Sequence, residues 1–198
     1  TPSQWDQLRH VSLHLTSCNI APSELSHLLR QMPHLHSLTI VDLMPAHCNP
    51  YLLHIPPLAE IQQLYLCSNR SAIELSVLPA LSRLYLSSEY RLSEASRWLP
   101  NMVGMTALES LTCDNMAWED VLEMTHFLPT QIAHFEFTLK DEYRPWDSKQ
   151  ERVLWIQLMK LTQLTCLEVP HRLTCPNVFV QWMENKSLTA LPTILTGK

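Results

Sequence analysis

Apolar residues along this chain fall into a recurring frame, L-x-x-L-x-L, with apolar side chains at positions 1, 4 and 6. The copies read Leu35-x-x-Leu38-x-Ile40, Ile61-x-x-Leu64-x-Leu66, Leu81-x-x-Leu84-x-Leu86, Leu108-x-x-Leu111-x-Cys113, Ile132-x-x-Phe135-x-Phe137 and Leu164-x-x-Leu167-x-Val169. A looser copy opens the chain at Leu8-x-x-Val11-x-Leu13, and a degraded one closes it at Leu188-x-x-Leu191. The starts are 20 to 32 residues apart. Positions 3, 5 and 7 are mostly polar, so each copy alternates with period 2 and predicts a short strand with one buried face. A lone strand cannot bury that face; copies laid side by side can. Parallel neighbours need a crossover, usually a helix.

The connecting segments supply helical spacing. Leu25, Leu28, Leu29 and Met32 stand at i, i+3, i+4 and i+7, and Ala95, Trp98, Leu99 and Met102 do the same. Trp118, Val121, Leu122 and Leu128 form a third stripe, and Leu154, Leu158 and Leu161 a fourth. Ser148 with Glu151 reads as a capping box, and Ser23 and Ser93 as N-caps. Pro33, Pro79, Pro100 and Pro129 fall where these helices should stop. The shortest interval, 61 to 81, leaves room for a single turn around Ala72–Leu78.

The frame and its period resemble the leucine-rich repeat superfamily over nearly the whole chain. The resemblance implies an α/β solenoid, or horseshoe, of about eight repeats: a parallel β-sheet on the concave face and helices on the convex face. It also implies a single domain spanning 1–198. The family places Asn or Cys at position 9, where the side chain ties successive turns together. Here that column is Thr16, Leu43, Asn69, Glu89, Met116, Lys140 and Arg172, so only Asn69 conforms. The uneven repeats are similar to the irregular intracellular subfamilies.

Composition narrows the function. No apolar run approaches the length of a membrane span. A formal net charge of −5 argues against a nucleic-acid footprint, and 2 glycines against a phosphate-cradling loop. Without a signal pattern or an initiator Met, the chain reads as a mature product or an excised fragment of an intracellular, cytoplasmic protein. Six scattered cysteines include no C-x-x-C pair and no end-cap cluster, which fits buried, reduced thiols. The sequons at Asn69 and Asn185 are of a kind that arises often by chance.

Function should then lie in what the frame displays. The position-5 column places Tyr65 and Tyr85 on neighbouring strands, about 5 Å apart, with Gln63 and Arg83 beside them at position 3. Tyr and Arg dominate interface hot spots, although aromatic pairs also form on sheets for packing alone. Asp114, Glu136 and Glu168 make the far end of the face acidic, which plain solvation also explains. The longest interval holds a charged loop, 140–147, with Tyr143, Arg144 and Trp146; these rings either bind a partner or fold back over the core edge. A similar loop spans 43–50.

Ten histidines raise the question of chemistry. His34 and His36, or His47, Cys48 and His54, match no zinc signature. No spacing assembles a nucleophile, a base and an orienting group. No catalytic residue, metal ligand or cofactor is therefore expected. The expected function is binding of another protein through the concave sheet, as in a ubiquitin-ligase substrate receptor, an immune sensor, or an adaptor or effector. A structural spacer within a larger complex is the alternative, and an enzyme on the same scaffold a second.

Overall fold

The computed structural model describes residues 4–15, 22–43, 52–69, 72–88, 98–140, 148–170, 173, 176–185 and 193–196. Its centre is an eight-stranded parallel sheet. The strands are β1 (His10–Leu15), β2 (Ser37–Asp42), β4 (Gln63–Ser68), β6 (Arg83–Ser88), β7 (Ser110–Met116), β8 (His134–Leu139), β9 (Cys166–Val169) and β10 (Thr193–Thr196), adjacent in that order. Two further strands, β3 (Leu52–Ile55) and β5 (Ala72–Leu75), pair with each other in a separate parallel sheet. Helices α1 (Pro22–Arg30), α2 (Trp118–Thr125), α3 (Ser148–Leu158) and α4 (Asn177–Asn185) fill other connections. The fold is thus α/β with a mostly parallel central sheet. Among the described residues, no helix is long and apolar enough to cross a membrane.

The registers explain the frame. Leu38 pairs with Leu64, Leu64 with Leu84, Leu84 with Leu111, Leu111 with Phe135 and Phe135 with Leu167. Position 4 is thus one row across the sheet, and position 6 runs beside it from Ile40 to Phe137. Both rows are buried, as are Leu35, Ile61, Leu81, Leu108, Ile132 and Leu164 at position 1. All belong to one continuous apolar cluster.

Backbone bonds hold this alignment. The carbonyl at position 2 of one copy accepts two N–H groups, from positions 2 and 3 of the next. The Arg9 oxygen takes His36 and Ser37, His36 takes Gln62 and Gln63, and Gln62 takes Ser82 and Arg83. Ser82 takes Glu109 and Ser110, Glu109 takes Ala133 and His134, and Ala133 takes Thr165 and Cys166, all at 2.8–3.0 Å. Most copies are entered through a tight turn in which the position-1 N–H donates three residues back: Leu8 to Trp5, Leu35 to Met32, Leu81 to Leu78, Leu108 to Met105, Ile132 to Pro129 and Leu164 to Leu161. Met32, Leu78, Met105 and Leu161 in these turns are buried, so the apolar frame begins three residues earlier than L-x-x-L-x-L.

Several local expectations change. Residues 72–75 form β5, not a turn: Ile73 and Leu75 alternate with polar neighbours and bury beside Leu53 and Ile55. The stripe residues Leu99 and Met102 lie in a 3-10 helix, Leu99–Gly104, and Pro100 sits in its first turn rather than ending it, since a missing N–H costs nothing there. Its approach is close: a Cβ on Gly104 would lie 2.9 Å from Val77. Pro33 and Pro79 occupy the second position of the entry turns, which their fixed φ suits. Helix α1 starts at Pro22, which puts Ser23 inside its first turn instead of at the cap. Helix α3 starts at Ser148, which likewise puts Ser148 inside the first turn rather than at the cap. Ser93 and Ala95 lie outside the described residues. Helix α4 was not signalled; Phe179 buries fully, stacks on Trp182 at 5.2 Å and meets Trp155 at 4.5 Å with the ring planes tilted by 50°. The closing frame also moves. Ile194 pairs with Leu167, so position 4 belongs to Ile194, three residues beyond Leu191.

The covering layer bridges its change from helix to strand with side-chain bonds. Ser26 of α1 donates to the His54 carbonyl at 2.9 Å, and Asn101 donates to the Leu75 carbonyl at 2.8 Å. In place of an Asn ladder, position 8 carries a buried polar pair: Ser68 Oγ donates to Asp42 Oδ2 at 3.0 Å, with Asp42 fully buried.

Leu84→Asp would place an unpaired charge within the position-4 row, at a cost of about 3–5 kcal/mol. Calorimetry should show Tm falling by roughly 10 °C or more. An unchanged melt would mean that Leu84 does not face the core.

Candidate functional site

The sheet face opposite the core carries positions 3, 5 and 7, and these residues remain half-buried or exposed. At its centre, Tyr65 on β4 pairs with Tyr85 on β6, and Gln63 with Arg83. Successive parallel strands hold equivalent side chains at one spacing, which lets the two rings lie flat together: their centroids are 4.1 Å apart and their planes 6° from parallel. Tyr65 is 37% exposed, Tyr85 less so, and Gln63 and Arg83 are exposed beside them.

A short polar chain continues from the stack. Tyr85 Oη donates to Asp114 Oδ2 at 3.1 Å, and Thr138 Oγ1 donates to the other oxygen of Asp114. The Asn115 amide donates to Thr138 Oγ1 at 2.8 Å. Asn115 has φ of 57°, the left-handed region that Asn tolerates better than most residues. It sits at a bulge: Cys113 pairs with Phe137 but Met116 pairs with Leu139, so β7 carries one extra residue. Burial first, then the neighbouring Tyr65 hydroxyl and the Asp114 charge, push the Tyr85 phenol far above its usual range. It therefore stays a hydrogen-bond donor at all physiological pH values.

Toward β9 the face becomes acidic. Thr112 Oγ1 donates to Glu136 Oε2 at 3.3 Å, and His134 Nε2 lies 3.9 Å from the same oxygen. His134 pairs with Cys166 and Glu136 with Glu168. One ligand atom each from His134, Cys166 and Glu168 lie within 4.8 Å of one another. Burial, then Glu168 and Glu136, raise the Cys166 thiol above its usual range, so the side chain is a thiol rather than a reactive thiolate. Cys113 is fully buried and raised for the same first reason.

Of the residues singled out from sequence, Gln63, Tyr65, Arg83 and Tyr85 form one patch, and Asp114 joins it through the Tyr85 hydroxyl. Glu136 belongs to the neighbouring acidic group. Tyr143 and Trp146 lie outside the described residues. Sequence reading passed over Thr138, and it did not connect His134 with Cys166. The signal was available in their shared position 3 on adjacent copies. No protein-family model matches the chain, and no curated protein matches it.

Tyr85→Phe should keep the ring stack and remove only the donor to Asp114, costing about 1 kcal/mol in urea unfolding at neutral pH. The raised phenol also sets a sign. Tyr85 contributes stability fully below the unfolded-state value of 10.0 and loses it as pH rises above, because the unfolded phenol ionises first. The alkaline decline in stability should therefore be shallower in Tyr85→Phe than in the wild type. Identical alkaline profiles would contradict this reading of the stack.

Proposed function

We propose that this chain is a leucine-rich repeat solenoid that binds another protein through its concave sheet. The observation that carries the reading is the exposed, pre-stacked Tyr65–Tyr85 pair at the sheet centre, flanked by Gln63 and Arg83. Two facts of the fold favour the repeat reading: the frame strands lie adjacent in chain order, and positions 4 and 6 form buried rows. A solvent-facing aromatic stack is costly to leave wet and already ordered, so a partner gains contact area at little entropic cost. The Tyr85–Asp114–Thr138 chain fixes one ring rigidly, and Arg83 adds a planar donor for a partner carboxylate or carbonyl. The acidic end near Glu136 and Glu168 favours a partner with basic side chains beside its central contact. A substrate-receptor, sensor or adaptor setting is consistent with such a face, and an intracellular one with the free Cys67, Cys113 and Cys166, although of these three only Cys113 is buried and the other two are half-buried, against the expectation of buried thiols.

Affinity capture followed by mass spectrometry would name the partner, and a direct binding measurement would test the face. The double substitution Tyr65→Ala with Tyr85→Ala should weaken binding at least about thirtyfold, the effect of one lost hot spot. Val103→Ala, 63% exposed on the 3-10 helix, should leave it unchanged. If the tyrosine double variant folds and binds as the wild type does, the concave face is not the interface.

A further inference from the structure

The His134, Cys166 and Glu168 group lies two strands from Tyr85, and although Glu168 also belongs to the acidic end of the face, its metal chemistry does not depend on the partner-binding reading. We propose that these three side chains bind a zinc-class divalent cation on the open face of β8 and β9.

The donor set comes first. An imidazole nitrogen, a thiolate sulfur and a carboxylate oxygen are all zinc donors, and three protein ligands with one open position is a recurrent zinc arrangement. The sulfur selects against magnesium and calcium, which take oxygen ligands.

Charge agrees. Binding would release the Cys166 thiol proton to solvent, and the resulting thiolate with the Glu168 carboxylate matches a dication, with the imidazole neutral. Glu136 adds a further carboxylate beside them, and the one cation-forming group within 4 Å of it among the described residues is His134, itself one of the three ligands. A bound cation would relieve the crowding of the paired Glu136 and Glu168 carboxylates.

Geometry agrees as well. Donors around a tetrahedral zinc are separated by roughly 3.5 Å. The three here already lie within 4.8 Å of one another, and all are half-exposed, so modest side-chain rotation closes the gap. Their backbones need not move. His134 and Cys166 are register partners, and the Ala133 carbonyl binds the Cys166 amide at 2.9 Å. The ligands stand on strands rather than on a loop, which favours precise placement. Glu136, held by Thr112, lies next to the His134 ring, where a carboxylate commonly orients a ligating imidazole. No motif search would find the site, because His134 and Cys166 are 32 residues apart in the sequence.

Cobalt(II) titrated into the full chain under reducing conditions tests the site. It should produce a thiolate-to-cobalt charge-transfer band that saturates at one equivalent and is displaced by zinc(II). Cys166→Ser should abolish the band, and His134→Gln and Glu168→Gln should each weaken cobalt binding at least about tenfold. Cys67→Ser, on the same face of β4, should leave the band intact. Circular dichroism would confirm that each variant folds. If Cys166→Ser does not fold, His134→Gln and Glu168→Gln decide the matter. Absence of a saturable thiolate band in the wild type would overturn the proposal, as would a band surviving in folded Cys166→Ser or unchanged affinity in both other variants.

Discussion

A shared carbonyl at the second position of each frame copy is the contact on which the rest of the sheet depends. Six such oxygens, from Arg9 to Ala133, each accept two amides from the following copy. A carbonyl has two lone pairs, so both bonds are made without competition. Register is thereby fixed at the start of each of these strands. A slip of one residue would send every apolar side chain to the wrong face. With the register fixed, leucines far apart in sequence become neighbours in the same buried row, and each new copy extends the core begun by the last.

The alignment that builds the core also builds the surface. Tyr65 and Tyr85 are stacked because both stand at position 5 of adjacent copies. His134 and Cys166 meet because both stand at position 3. The one register shift among the described residues of this sheet falls beside a highly connected side chain. The bulge in β7 falls at Asn115, next to Asp114, which receives hydroxyls from both Tyr85 and Thr138. Aromatic and acidic regions are therefore products of a single geometric rule applied to different side chains.

That rule explains which features were legible in the sequence. Alternation at positions 1, 4 and 6 is a strong local signal, and it predicted the central strands, their parallel order and the exposed columns. The stripe from Leu25 to Met32 similarly predicted α1. What escaped depended on contacts that no window contains. Residues 72–75 are too few to distinguish a turn from a strand until β3 supplies a partner. Pro100 can end a helix or begin one, and the buried neighbours Leu99 and Met102 select the second. The closing frame lacks a clean apolar pattern, so Leu188 and Leu191 competed with Leu191 and Ile194, and only pairing with β9 separates them. The polar pair of Asp42 and Ser68 escaped because buried carboxylates are not expected inside a strand. For the site, aromatic identity was legible at Tyr65 and Tyr85, whereas metal-ligand spacing was not, because the relevant distance crosses a whole interval.

Native-state hydrogen exchange followed residue by residue tests the shared-carbonyl ladder most directly. Both amides of each pair should be protected far beyond ordinary surface strands: His36 with Ser37, Gln62 with Gln63, Ser82 with Arg83, Glu109 with Ser110, Ala133 with His134, and Thr165 with Cys166. The central pairs should exchange together near the global unfolding limit. Position-2 amides that exchange at unfolded-chain rates while the strand interiors stay protected would contradict the account.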